Sequence, residues 1–390
     1  MWQHEEGGES RVGMLQVIRE YALEQLEVSG EAEALRRAHA AYYLALAERV
    51  EPELTGPRQA WWLARLEPEH DNLRAALGWT REHDQIASGL RLAGALVRFW
   101  RVRGYGSEGL GWLAGFMAHA EAQTLDEMLG VEGTNGGAVP ASVRARAVFG
   151  AGMLANGLGD QRQAVPWLER AVVLYHAAGE PIGAVHALSA LAGVAYDQGE
   201  VRDALTRYHE CAALARAAYD QGELARALGN MGEMYYHLDD LAQAAEHYEE
   251  ALAVARRSGR VEVEAGQLGN LGNVARRQGD LQRAAVLHRQ ALELKRGLGY
   301  RRQIAITLED LAALAVVEGR MEWAARLLGA ATELRATIGS PQPVPEWKVS
   351  EQTAMAARAK LGEEAWAAAF AAGRALLLEQ AIEEALSAVE

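Results

Sequence analysis

A step of 40 residues governs this chain. Leu228, Met231, Gly232 and Tyr235, followed by Asp239-Asp240, Ala244, Tyr248 and Ala251, return as Leu268, Leu271, Gly272 and Ala275, followed by Gly279-Asp280, Ala284, His288 and Ala291. The frame extends outward, with helix-breaking junctions at Gly159-Asp160, Gly199-Glu200, Asp239-Asp240, Gly279-Asp280 and Gly319-Arg320, and alanines at Ala164, Ala204, Ala244, Ala284 and Ala324. A fixed period of this size marks a stacked repeat, in which each unit buries its apolar face only against its neighbours.

The spacing has a physical reading. Leu228, Met231 and Tyr235 recur at three and four residues, so they line one face of a first helix. Gly232 on that face has no side chain, which lets the second helix approach. The Gly of a Gly-Asp junction tolerates a left-handed C-cap, and the Asp then caps the next helix. Ala244 is small where the two helices cross, and Tyr248 and Ala251 face back toward the first helix.

This pattern, Leu-x-x-Met-Gly-x-x-Tyr followed by Ala-x-x-x-Tyr-x-x-Ala, resembles the tetratricopeptide repeat. That family's unit is about 34 residues, so a 40-residue step implies longer helices or wider turns, as in the variant found in large bacterial regulators. The resemblance is specific over Ala225 to Leu298 and good over Pro181 to Tyr219. It loosens at Val148 and Ala151 and again over Thr307 to Ile338, as terminal repeats often do. The fold it implies is all-α, a right-handed superhelical solenoid of helix pairs.

Composition agrees with a helical chain. Half the residues are apolar, only 9 are Pro, and 4 Phe leave the packing to Leu, Ala and Tyr. A net charge of -14 argues against a nucleic-acid surface. Lysine occurs only at Lys295, Lys348 and Lys360, so the positive charge is nearly all Arg. Cys211 stands alone, at the position filled by Ala171, Ala251 and Ala291 in other units, and reads as a small buried thiol. No signal-peptide pattern or long apolar run is visible, so the expected location is cytoplasmic, without a membrane span.

Further resemblance covers the flanks. Met14-Leu15-Gln16-Val17-Ile18-Arg19-Glu20-Tyr21-Ala22, the Arg37-x-His39-Ala40-x-Tyr42-Tyr43 after it, and the linker Trp61-Trp62-Leu63-Ala64-Arg65-Leu66 with Glu69-His70-Asp71-Asn72-Leu73 are similar to segments of bacterial STAND-class signal-transduction ATPases, many of them transcriptional regulators of the LuxR or AfsR type. The closing Leu361-Gly362-Glu363-Glu364-Ala365-Trp366 is similar to how many of them end. No Gly-x-x-x-x-Gly-Lys-Ser/Thr phosphate loop occurs, so their ATPase role does not carry over. The expectation is the carboxyl-terminal arm of a larger regulator.

The organisation expected is as follows. Residues 1–13, polar and Gly-rich, read as loop or disorder, or as the remnant of an upstream winged-helix hairpin. A helical linker or cap follows over 14–84, then a degenerate first helix pair over 85–129. The Gly-rich stretch 130–140 reads as a flexible loop, 141–339 as five repeats, and 340–390 as a C-terminal helical cap after a proline-rich break.

In such a stack the first helices line the concave face, so their residues pointing away from the Leu/Met/Tyr stripe are the candidates for binding. By register these are Arg146, Asn156, His186, Tyr196, Asp197, Arg226, Glu233, Tyr236, His237, Asn273, Arg276 and Arg277. Tyr, Arg and Asn suit peptide recognition through area and fixed hydrogen bonds; the competing reading is a solvated face. Asn230 and Asn270, with Asp310 in the equivalent place, sit where the resemblance implies an Asn that binds a peptide backbone or carboxylate. Hydrogen bonding between helices is an equal alternative. Gly229 and Glu233 do not supply the cations of a full carboxylate clamp.

Catalysis and metal binding find no pattern. The histidines lack the paired spacing of a zinc helix, and no nucleophile elbow or Cys/His pair is present. Trp61, Trp62 and Trp79 read as core in preference to a docking surface. The function expected is a non-catalytic sensor and interaction arm without cofactor or metal, taking a protein or peptide in the groove. A small-molecule effector and a self-assembling scaffold are the alternatives, and homo-oligomers are compatible with either.

Overall fold

The computed structural model describes residues 2–6, 9–13, 15–56, 58–129, 139–339 and 344–387. The chain forms two compact units, Met1–Val194 and Ala195–Glu390, described separately below.

The first unit opens with a hairpin. β1 (Trp2–Glu6) and β2 (Glu9–Gly13) pair antiparallel, Trp2 opposite Gly13 and Glu6 opposite Glu9, where loop or disorder and a hairpin remnant were the two expectations. The signal was the Gly7-Gly8 pair between two five-residue runs, a dipeptide suited to two-residue hairpin connections. Helices follow: α1 (Gln16–Ser29), α2 (Ala32–Val50), α3 (Gln59–Leu66), α4 (His70–Glu82), α5 (Ile86–Arg103), α6 (Gly106–Leu129), α7 (Ala141–Gly157), α8 (Gln161–Ala178) and α9 (Pro181–Asp197), in which the division falls. Residues 130–138 of the expected loop lie outside the described residues.

Large side chains meet small ones in this unit. A Cβ on Gly89 would lie 2.3 Å from the Phe116 ring, and one on Gly109 2.3 Å from Trp100, so α5 and α6 owe their close packing to these two glycines. The Glu69-His70-Asp71-Asn72 motif is structural: buried Glu69 accepts from Tyr43 Oη (2.6 Å), Asn72 Nδ2 (2.8 Å) and Arg65 Nη1 (2.9 Å), joining α2, α3 and α4. The core reading of the tryptophans holds only in part. Trp61 is 52% exposed and meets Trp62 edge-on at 4.5 Å, because a short helix buries one stripe and cannot cover two adjacent indoles.

The second unit contains α10 (Val201–Ala217), α11 (Gln221–His237), α12 (Leu241–Ser258), α13 (Val261–Gln278), α14 (Leu281–Leu298), α15 (Arg301–Val317) and α16 (Met321–Thr337), then α17 (Val344–Leu361), α18 (Glu363–Arg374) and α19 (Leu378–Ser387). Of the expected proline-rich break, residues 340–343 lie outside the described residues.

The repeat chemistry is visible position by position. Ala204, Ala244, Ala284 and Ala324, with Ala164 in the first unit, are fully buried. A Cβ on Gly232 would strike the Tyr248 ring at 2.6 Å, and one on Gly272 the His288 ring at 2.7 Å. Asp240 and Asp280 each accept the backbone N–H three residues on, at 3.1 and 3.0 Å, whereas Glu200 and Arg320 make no such bond. Cys211 is a buried thiol that takes part in no disulfide. Over the last pair, a Cβ on Gly373 would lie 2.0 Å from the Arg326 carbonyl oxygen, so α16 and α18 touch backbone to backbone.

Candidate functional site

Successive first helices present the same turn of helix to one place in the second unit. Tyr196 on α9, Tyr236 on α11 and Arg276 on α13 stand 40 residues apart; so do Glu233 and Asn273, and Asn270 and Asp310. These residues, with His237, line a pocket of about 500 Å³. It is completed by Tyr248 of α12, Ile306 and Glu309 of α15, and Val349 and Ser350 of α17.

Hydrogen bonds tie one wall together. Tyr248 Oη donates to Glu233 Oε2 at 2.8 Å, His237 Nε2 lies 3.0 Å from Glu233 Oε1, and Tyr196 Oη lies 2.8 Å from the same ring nitrogen. Burial pushes the Glu233 carboxyl upward, but the bonds from His237 and Tyr248 and the His237 charge outweigh it and hold the group below its ordinary range. Burial and the Glu233 charge hold the Tyr248 phenol protonated. At the rim the Arg277 guanidinium covers the Tyr236 ring at 4.7 Å, reaches the Tyr236 carbonyl at 3.3 Å and pairs with Asp239.

The polar lining residues from α13 and α15 are half-buried. Asn273 Nδ2 donates to Asp310 Oδ1 at 3.1 Å. Burial raises the Asp310 carboxyl to about 6, against the pull of Lys295, Asn273 and Arg276. Lys295 Nζ donates to Thr307 Oγ1 at 2.7 Å, and burial lowers its pKa. Glu309 takes both forks of Arg335, Nε and Nη2, at 2.8 Å each. Arg276 differs: it makes no ion pair among the described residues, and its Nε is buried without a hydrogen-bond partner. The pocket's carboxylates are therefore engaged within the protein, while a guanidinium and Asn270 remain as donors. Such a surface accepts carbonyl or carboxylate oxygens.

Of the first-helix candidates, Tyr196, Glu233, Tyr236, His237, Asn273 and Arg276 meet here, together with Asn270 and Asp310. Arg226 is exposed and pairs with Glu223 at 3.2 Å, and Asn230 is half-buried; neither lines the pocket. Asp197 is exposed. Arg146 and His186 line a separate pocket in the first unit, where Asn156 is half-buried. Sequence reasoning did not place Tyr248, Ile306, Glu309, Val349 or Ser350. The second-helix position of Tyr248 pointed only to packing, and no register relates α17 to the repeats.

Among the described residues, no group of three or more His, Cys, Asp or Glu side chains is arranged to hold a metal ion, and no helix is long and apolar enough to cross a membrane.

Comparison with known proteins agrees with the repeat chemistry. Residues 184–257 and residues 265–301 match the tetratricopeptide repeat family. The chain carries tetratricopeptide repeats in a solenoid-type fold that is helical apart from the N-terminal hairpin. It is 35% identical over 187 residues to proteins named as HTH-type transcriptional regulators in Mycobacterium bovis (strain ATCC BAA-935 / AF2122/97) and Mycobacterium tuberculosis (strain ATCC 25618 / H37Rv); the match covers 47% of this chain and 20% of theirs. The chain thus spans about a fifth of those relatives. Its fold is similar to that of a Signal Transduction ATPase with Numerous Domains (STAND) protein with a tetratricopeptide repeat sensor from Pyrococcus horikoshii. That likeness has a TM-score of 0.55 at 13% identity, covering 92% of this chain and 55% of that one.

Proposed function

We propose that this chain is the non-catalytic sensor arm of a cytoplasmic, ATPase-coupled transcriptional regulator, and that it binds an extended polypeptide segment in the pocket of the second unit. One observation carries the reading: three successive first helices bring Tyr, Asn and Arg side chains to a single pocket in which the acids are engaged and the Arg276 guanidinium is not. A peptide backbone supplies the acceptors that Asn270 and Arg276 lack, and Tyr196 and Tyr236 add contact area at low entropic cost. The likeness to regulators of transcription supports the wider role. Occupancy would act by differential affinity for two arrangements of the arm.

The test is a peptide-display selection against the full chain, followed by calorimetry. Arg276→Gln and Asn270→Ala should each weaken a selected peptide by roughly ten- to a hundredfold, about 1–3 kcal/mol, with unchanged melting, whereas Arg226→Ala should leave affinity unaltered. Recovery of no peptide, or equal affinity in all three variants, refutes the assignment.

A further inference from the structure

Helix α5 carries four arginines with contrasting environments. Arg91 is clamped by Glu48, Nε at 2.7 Å and Nη2 at 2.8 Å, and Arg103 lies 3.0 Å from Glu67. Arg98 and Arg101, three residues apart and so on one face of the helix, have no ion pair among the described residues. The Nε of Arg98 is buried without a hydrogen-bond partner. Both line a pocket of about 300 Å³ in the first unit, together with Arg146, Phe149, Met153 and Tyr175. Glu51 is the one carboxylate in that lining, and Arg146 pairs with it. Three guanidiniums against one carboxylate leave the lining two charges positive, in a chain whose net charge is -14.

Arg98 is half-buried and Arg101 beside it is exposed; two like charges so placed, one of them partly out of water, oppose folding. Burial and the neighbouring Arg98 charge lower the Arg101 pKa, the signature of that opposition. Acids are abundant in this sequence and neutralise the other two arginines of the same helix. The missing countercharge is thus a local property of this pocket. We propose that it is the site of a small organic phosphomonoester, whose oxyanion sits on the Arg98 and Arg101 guanidiniums and whose apolar part lies against Phe149, Met153 and Tyr175. A phosphomonoester carries close to two negative charges at neutral pH and offers the oxygens that arginine forks engage in pairs. A volume near 300 Å³ suits a small molecule and is too confined for a nucleic-acid strand. The site would be a second input to the arm, independent of the peptide pocket.

Phenyl phosphate is the probe, with inorganic phosphate and phthalate beside it and chloride at matched ionic strength as the reference. Calorimetry and thermal melting are run on the full chain. Phenyl phosphate should bind saturably and raise the melting temperature, inorganic phosphate should do so more weakly, and Arg98→Gln or Arg101→Gln should each weaken binding at least tenfold. Arg276→Gln, in the other unit, should change nothing, which separates this site from the peptide pocket. In chloride alone Arg101→Gln should melt at or above the parent chain, because a repulsion has been removed. A fall of several degrees would make Arg101 a structural residue and overturn the proposal. An absent phenyl phosphate effect, an equal effect in the parent and Arg101→Gln chains, or tighter binding of phthalate would overturn it as well.

Discussion

His288 shows how one position of a repeat can be strained by its chemistry. The equivalent residues are Leu168, Tyr208, Tyr248 and Leu328. Tyr248 sends its hydroxyl to Glu233, but the shorter imidazole of His288 is fully buried with both ring nitrogens unpartnered, and burial with the Lys295 and Arg276 charges lowers its pKa to about 3. A folded-state pKa below the unfolded value of about 6.5 means that stability is retained above pH 6.5 and lost as pH falls. Between pH 7 and pH 5 the loss from this residue is about 2 kcal/mol. Asp310, raised to about 6, acts in the opposite direction, so the comparison must be between variants. His288→Leu should be neutral or stabilising at pH 7 and should remove about 2 kcal/mol of the acid sensitivity; urea melts at the two pH values read the difference. Tyr219 is a second exception. It takes φ 57° at the turn where Gly179, Gly259 and Gly299 stand, and it is 87% exposed, so its ring contributes little packing. Tyr219→Gly should gain about 0.5–1 kcal/mol by relieving left-handed strain, measured as a higher denaturation midpoint.

Helix ends and crossings were legible in proportion to how local their causes are. The Asp240 and Asp280 caps follow from the two-residue junctions Asp239-Asp240 and Gly279-Asp280, and the buried alanines from the 40-residue register, so both could be read directly. The approach of α18 to α16 could not. Gly329 and Gly373 carry no repeat signal, yet a Cβ on either would meet backbone at 2.2 and 2.0 Å. Backbone atoms cannot rotate aside as a side chain can. Gly373→Ala should cost about 3 kcal/mol or more and free the end of the chain to limited proteolysis; a melting temperature equal to the parent's would disprove the crossing. The N-terminal stretch was ambiguous for a different reason: a Gly-rich polar sequence is compatible with loop or with a hairpin remnant, and only the pairing of β1 with β2 separates the two.

In the second unit α18 and α19 pack over the last repeat pair. Trp366, Ala369, Ile382 and Ala385 share one buried cluster with Leu311, Trp323, Leu327 and Leu328, and Arg326 clasps Glu384 through Nε and Nη2 at 2.6 Å each. A chain ending at residue 339 would leave the apolar face of α16 in water. It should melt at least 10 °C lower or self-associate, by calorimetry and light scattering, as an uncapped repeat does. The same truncation removes Val349 and Ser350 from the pocket and should weaken any peptide selected there.

Periodic positions repeat their environment, so the helix pairs, their crossing alanines and glycines, the caps and the candidate first-helix face could be inferred from spacing alone. What spacing cannot convey is which polar groups end up partnered. That depends on side chains brought together from different helices: Tyr248 with Glu233, Asn273 with Asp310, Glu309 with Arg335. Arg98, Arg101 and Arg276 differ from their many paired counterparts only because no carboxylate arrives to meet them, a fact of three-dimensional distance that no interval along the chain encodes.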